Sequence, residues 1–455
     1  MPIFSLTELA NILKVAPPKK ETKFTNIAID SRQVNQSDLF VAIKGAHVDG
    51  HDFISTALEK GAAAILTEKH IDITTNFLQV KNSIKALGIW AKKKRQEFNK
   101  TPLIAITGSN GKTTVKNMVS NILKKAVDDK EDYFLASRGN LNSDIGLPLN
   151  LVNLTDKHKF VVLEMGMSHL GEIAYLTKIA KPNVAIITNA ASTHIGEVGS
   201  LDNIAKAKSE IFLGLNKNGF AILNMDDKYF SFWRNLTKNK NIITFGFNKN
   251  ADVRAKNLVL NFLQSSFTLC YKNTEMPITL NLAGRHNVLN ALAAAACTLA
   301  CNIDLATIAN ALAITQTTKQ RLEKKSGIKG ATILDDSYNA SPISLIAAIN
   351  SLTSFSGKKI LVLGDMKELG NQEITAHKNA GNYAKKAGVD FLITFGDLAK
   401  YSADSFKDNA IHFTDKEKLI TFLSKMLNTN SCVLIKGSRS MQMEDVVNAI
   451  SVKSK

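Results

Sequence analysis

The run LIAITGSNGKTTVKNMV, residues 103–119, constrains this chain more than any other feature. An apolar strand, Leu103 to Ile106, enters Thr107-Gly108-Ser109-Asn110-Gly111-Lys112-Thr113-Thr114, and Val115, Met118, Val119, Ile122 and Leu123 then return at helical spacing. Strand, glycine loop and helix in that order are the context of a phosphate-binding loop. The glycines let backbone N–H groups turn onto phosphate oxygens, and the helix N-terminus adds partial positive charge. Lys112 would reach the terminal phosphates, and the Thr113 hydroxyl would ligate Mg2+. One position departs from the general pattern, which has glycine where this chain has Ile106. An ordinary strand-to-helix turn is the competing reading.

Such a loop belongs at the carboxyl end of a strand in a mostly parallel sheet, and the flanking sequence has the alternation that builds one. From about 101 to 315 the strands LIAIT, FVVLE, NVAIIT, FAILN and NIITF alternate with amphipathic helices. From about 331 the alternation resumes with ATILDD, KKILVLGD, DFLITFG, AIHFT and SCVLIKG. Ahead of both, TNIAI, DLFVAIKG, a helical DFISTALEK closing at Gly61, and AAAILTE outline a smaller unit. The reading is an α/β protein of three domains. It has an N-terminal α/β module over 1–82, a connecting helix over 83–100, a central P-loop domain with a mostly parallel sheet over 101–315, and a C-terminal Rossmann-like doubly wound domain over 316–455. A length of 455 residues, with 45% hydrophobic and 21% charged, suits several globular cores.

A magnesium ion at Thr113 needs further ligands from neighbouring strand ends. Glu164 ends the apolar run Phe160 to Leu163 on the side where the phosphate loop lies. His194 follows the strand NVAIITN in AASTHIGEVG; a lone histidine is more often structural, yet this one lies at a third strand end beside the same crevice. Lys208, in NIAKAKSEIF, is either a surface lysine or, beside Mg2+, a group that must be neutralised or converted to a carbamate. In NLAGRHNVLNALAAAA, the polar residues Arg285, His286, Asn287 and Asn290 open a helix, more than capping alone requires. In ILDDSYNASP a strand ends in Asp335-Asp336, where a carboxylate can hydrogen-bond a ribose.

A formal charge of +17 favours anionic ligands, and a nucleic-acid-dependent P-loop ATPase is one rival. Aromatics at 7% and dispersed lysines argue against it, so no nucleic-acid partner is expected. The run Lys92-Lys93-Lys94-Arg95 reads as the solvated face of a helix whose apolar side carries Ile84, Leu87 and Ala91. Cys297 and Cys301 share a helix face, but within ALAAAACTLAC they read as packing rather than as metal ligands. The N-terminus has no basic-then-apolar leader and no apolar run suffices to span a bilayer, so a cytoplasmic protein without an integral membrane segment is expected.

Taken together, DSRQVNQSDLFVAIKG, TGSNGKTT, GNLNSDIGLPLNL, LEMGMSHLGEI, AKAKSEIF, AGRHNVLNALAA, LDDSYNASP, LGDMKELG and KGSRSMQME resemble the Mur ligases, ATP-dependent amide-forming enzymes of bacterial cell-wall synthesis. The phosphate loop without glycine at position 106 is that family's form. The resemblance covers nearly the whole chain, and its motifs are those of members that join D-alanyl-D-alanine to UDP-N-acetylmuramoyl-tripeptide. Its implications are an acyl phosphate made from ATP with Mg2+, and a monomer. Gly108 to Thr114 would hold the ATP phosphates; Thr113, Glu164 and His194 would surround Mg2+; Lys208 matches a lysine carbamylated in some members. Asn287 would contact adenine, Asp336 the ribose, and Arg321 the γ-phosphate. Asp30, Ser31, Arg32 and Lys44 would bind the uridine diphosphate part. Asn140 and Asn142 would lie towards the acceptor, with Asp365, Lys436, Ser438 and Arg439 as substrate contacts across the cleft. Relatives carry glycine just before the arginine that opens the third domain, where this chain has Gln320. Within the family, a third-residue-adding ligase or a folylpolyglutamate-type enzyme is the alternative. Some 100 residues precede the loop, which argues against the folate enzymes.

Overall fold

The computed structural model describes residues 3–72, 75–191, 198–317 and 319–452. Three sheets carry the fold, and their parallel inner strands are short apolar segments rich in β-branched residues. A four-stranded parallel sheet, Asn26–Ala28, Asp38–Val41, Ala64–Thr67 and Phe77–Gln79, forms the N-terminal unit. The helix Ile54–Glu59 beside it is followed by Gly61 at φ +94°, the left-handed conformation glycine takes at no steric cost.

The helix Ser83–Glu97 leads into the second sheet. Its Trp90 packs edge-on against Phe4 and Phe24, which ties the N-terminal unit to it. Here the reading of 92–95 as a solvated face needs correcting, because Arg95 is only 2% exposed. Its guanidinium donates to the carbonyls of Ala180 (2.8 Å), Thr101 (3.0 Å) and Lys181 (3.3 Å) and to the Asn183 amide oxygen (3.1 Å). Burial lowers its pKa to about 10. A fork of five donors satisfies several carbonyls at once, a demand lysine could not meet.

Nine strands make the central sheet, in the order Thr274–Leu280, Ser265–Tyr271, Val253–Leu260, Asn241–Gly246, Phe220–Asn224, Val184–Ile187, Leu103–Thr107, Phe160–Glu164, Phe134–Ala136. The last seven are parallel, and the first three form an antiparallel edge that βα alternation did not foretell. Leu103 and Ala105 face one core, while Ile104 and Ile106 face the other, so every residue of this strand is buried. The chain leaves Leu103–Thr107 for one edge and returns to its other side, making a topological switch at this strand. The alanine-rich helix Arg285–Leu299 packs closely on the phosphate-loop helix Lys112–Ala126. Cys297 is fully buried there, and among the described residues no group of three or more His, Cys, Asp and Glu side chains is placed to hold a metal ion.

The third sheet runs Glu323–Ser326, Thr332–Asp336, Ser431–Lys436, Lys358–Gly364, Phe391–Phe395, Ala410–Phe413, with all but the first strand parallel. Leu361 and Leu363 pack under the helices Pro342–Thr353 and Glu373–Ala387. Ile360 and Val362 pack under Lys416–Met426 and Glu444–Ile450 on the opposite face, which makes the domain doubly wound. Among the described residues no helix is long and apolar enough to cross a membrane.

Candidate active site

Parallel register assembles the site. Ile106 pairs with Glu164 on one side and Ile186 on the other, so the phosphate loop, the Glu164 carboxylate and the Thr188–Asn189 turn emerge together at the carboxyl end. Gly108 and Gly111 take φ of +150° and +83°. A Cβ on Gly108 would lie 1.9 Å from Thr188 Oγ1, and one on Gly111 would lie 2.5 Å from Asn290 Oδ1, so only glycine lets the loop run this close to its neighbours. The turn holds the loop tightly: Asn110 N donates to Asn189 Oδ1 (3.0 Å), while Thr188 Oγ1 (2.6 Å) and Asn189 Nδ2 (3.1 Å) donate to Asn110 O. Asn110 Nδ2 is buried without a partner among the described residues, a free donor inside a phosphate cradle.

Thr113 Oγ1 donates to Glu164 Oε2 at 3.0 Å, and Asn142 Nδ2 donates to Glu164 Oε1 at 2.9 Å. Glu164 is 4% exposed. A hydroxyl and a carboxylate held together are hard oxygen donors, and they fit a hard divalent cation, the rest of whose ligands would have to come from other groups. Lys112 folds back on its own loop, donating to Gly108 O at 2.8 Å, a reach that phosphate oxygens would replace. Burial and Arg321 lower the Lys112 pKa, while Glu164 opposes them.

Lys208 is 3% exposed on the helix Leu201–Ser209. That disposes of the surface-lysine reading. Burial and the Lys112 ammonium push its pKa well below the ordinary lysine value. His194 lies outside the described residues.

From the third domain, Arg321 Nη2 donates to Thr113 Oγ1 at 3.3 Å, with its guanidinium 4.3 Å from the centre of the Tyr338 ring. Ser341 Oγ reaches Asn110 Oδ1 at 3.3 Å. Gln320 sits at φ +61° and Leu322 at +56°, the left-handed region. A glycine at 320 would adopt this backbone freely; here it is braced by Gln320 N to Glu323 Oε2 (3.1 Å) and Tyr338 N to Gln320 O (3.2 Å). Gln320→Gly should therefore keep catalytic turnover within about twofold and shift the melting temperature little, since relief of strain offsets added unfolded-state entropy. A loss beyond about tenfold in turnover would assign the Gln320 side chain itself a role.

Asn287 is 7% exposed and donates to Ala283 O, while Asn290 Nδ2 donates to its Oδ1. Arg285 stacks over Phe247 with the guanidinium 3.6 Å from the ring centre. Burial, with Lys436 nearby, lowers the His286 pKa to about 4, so this imidazole is neutral. Asp336 accepts from Leu322 N (3.1 Å) and pairs with Lys436 Nζ (2.5 Å), yet burial still raises its pKa. Lys436 is thus spent on Asp336 and on Asn339 O rather than presented free. Asp335 is paired with Lys325 and Ser337 inside the domain.

The other expected contacts form separate clusters. Asp365 Oδ1 accepts from the backbone of Leu398 and Ala399, and its Oδ2 pairs with Lys367 at 2.8 Å. Ser438 Oγ accepts from Lys367 N, and Arg439 pairs with Glu444. In the N-terminal unit Asp30 caps the short turn Ser31–Gln33 and pairs with Arg32, which lowers its pKa to about 2. Ser31 is buried, whereas Arg32, Lys44 and Asn140 are exposed. Among the described residues none of these hydrogen-bonds to the phosphate loop.

Sequence reasoning missed the Thr188–Asn189 turn, Ser341, Ser137 and Lys116. Only Lys116 left a trace, as a cation within the apolar stripe of the phosphate-loop helix.

Family models match the chain in three consecutive pieces: "Mur ligase family, catalytic domain" over residues 23–99, "Mur ligase middle domain" over 106–298 and "Mur ligase, glutamate ligase domain" over 320–439. The UDP-N-acetylmuramoyl-tripeptide–D-alanyl-D-alanine ligase of Haemophilus influenzae is 37% identical, covering 99% of each chain. Among solved structures, MurF from Acinetobacter baumannii superposes with a TM-score of 0.91 at 32% identity over 98% of each chain. The MurF ligase of Thermotoga maritima in complex with ADP gives 0.81 at 29% identity, covering 93% of this chain and 96% of that one.

Proposed function

The chain belongs to the Mur ligase family, and on that premise we propose that it is the ATP-dependent ligase joining D-alanyl-D-alanine to UDP-N-acetylmuramoyl-tripeptide in peptidoglycan synthesis. The observation that carries the mechanism is the contact of Arg321 with Thr113, which brings a third-domain cation onto the phosphate loop of the second.

The peptide carboxylate attacks the γ-phosphorus of ATP, ADP leaves, and an acyl phosphate forms. The dipeptide amine then attacks the acyl carbon, loses a proton, and expels phosphate from the tetrahedral intermediate. Two anions must meet in the first step. Lys112 and Arg321 offset their repulsion as charge moves onto the transferred group, which is the principal task in phosphoryl transfer. Gly108 to Thr114 cradle the phosphates through backbone N–H groups, and Asn110 Nδ2 supplies a further donor. Thr113 and Glu164 would hold Mg2+, with His194 assigned beside them by resemblance, and such an ion would supply neutralisation of phosphate charge. Asn287 and Asp336 take the adenosine.

Lys208 carries a carbamate in this reading. Burial and the neighbouring Lys112 charge favour its uncharged amine, the form that adds to CO2 and loses a proton to give a carbamate, so that a negative group would face Lys112. Asp30, Ser31, Arg32 and Lys44 take the uridine diphosphate end. Asn140, Asn142, Asp365, Lys436, Ser438 and Arg439 serve the peptide and the acceptor, several by shaping loops. All these residues come from one chain, so a monomer suffices, and the reaction is placed in the cytoplasm, where ATP and nucleotide precursors are made.

Incubating the protein with ATP, Mg2+ and UDP-muramoyl tripeptide should yield the pentapeptide product by mass, and ADP over many turnovers, only when D-alanyl-D-alanine is present. ADP release that ignores the dipeptide and responds to nucleic acid would sink the reading.

A further inference from the structure

Lys116 has no part in the reaction just described, yet it is buried one helical turn beyond Lys112, at 7% exposure. Its neighbours at 115, 118 and 119 are apolar, and an apolar side chain at 116 would avoid the cost of burying an ammonium. Lys116 Nζ meets a carbonyl, donating to Ser137 O at 3.0 Å.

Ser137 in turn holds the candidate metal ligand. Its hydroxyl, on a residue only 3% exposed, accepts the Glu164 N–H at 3.0 Å, and its own N–H donates to Val162 O. One cation therefore clamps the phosphate-loop helix to the strand end that positions Glu164. Electrostatics couples the two as well: Glu164 favours the charged Lys116, while burial and Arg321 disfavour it.

We propose that Lys116 is a positioning residue of the nucleotide site, a buried counter-charge that sets Glu164 through Ser137 and adds fixed positive potential under the phosphates. The inference rests on the nucleotide reading above. Lys112 and Lys116 both feel the Glu164 carboxylate and the Arg321 guanidinium, so the charge of Lys116 adds to the positive potential that a polyanion would meet there.

A charge acts in proportion to the charge it faces. Free ADP carries roughly three negative charges and its magnesium complex roughly one, so removing Lys116's charge must weaken the free nucleotide more. Calorimetric ADP binding, with and without Mg2+, tests this in two variants: Lys116→Gln keeps a donor for Ser137 O but no charge, and Lys116→Arg keeps the charge. Expected for Lys116→Gln is a weakening of about tenfold without Mg2+ and about two- to threefold with it, at an unchanged melting temperature. Lys116→Arg should stay within about twofold in both conditions. Equal weakening in both conditions, no weakening, or identical behaviour of the two variants overturns the proposal. Should Lys116→Gln fail to fold, the arginine variant still decides, because a charge role requires it to bind as the unaltered chain does. Failure of the unaltered chain to bind ADP overturns this inference and the nucleotide reading together, whereas failure of the variants alone to differ leaves the nucleotide reading standing.

Discussion

Lys112→Ala is expected to lower ADP formation by about 10³-fold with all substrates present, the scale of removing a key donor from a developing oxyanion. The fold should survive. Lys112 Nζ contributes hydrogen bonds to Gly108 O and Ser109 O, a loss of order 1 kcal/mol, and removing it also relieves a buried ammonium. A melting curve beside the turnover assay separates chemistry from stability. Turnover within about tenfold of the unaltered enzyme would show that Lys112 does not face the γ-phosphate.

Lys208→Ala is expected to cost about 10²- to 10³-fold and, unlike Lys112→Ala, to be partly restored by formate or acetate. The geometry motivates rescue. Truncation leaves a cavity at a buried position next to Lys112, and a small carboxylate entering it would return the negative charge a carbamate supplies. Depleting bicarbonate and CO2 should weaken the unaltered enzyme and leave the alanine variant unaffected. If neither carboxylate nor CO2 matters, Lys208 acts as an unmodified amine and the carbamate is wrong.

These predictions draw unequally on sequence. Gly108, Gly111, Lys112 and Thr113 were legible because a phosphate loop is contiguous: its backbone conformation and helix start are written in neighbouring residues. Glu164 was legible because an apolar strand must end where its polar residue begins, and parallel pairing then brings that end to the loop. The antiparallel edge Val253–Leu280 was not legible as such, since its strands carry the mixed polarity of a half-exposed surface rather than the continuous apolar signal of buried parallel strands. Arg95 misled for a related reason: hydropathy ranks it with its lysine neighbours, while only the folded chain shows the carbonyls it satisfies.

The α/β class, the phosphate loop and, through several motifs together, the family can be read from residue order alone, because each is encoded in local spacing or in residues whose types are demanded by chemistry. Tertiary structure decided which charges face one another. It paired Lys436 with Asp336, set Arg321 on Thr113, buried Lys208 beside Lys112 and routed Lys116 through Ser137 to Glu164. Those pairings join residues up to 208 positions apart. Coulomb energy and desolvation depend on distance and burial in space, and neither quantity is carried by any single stretch of chain.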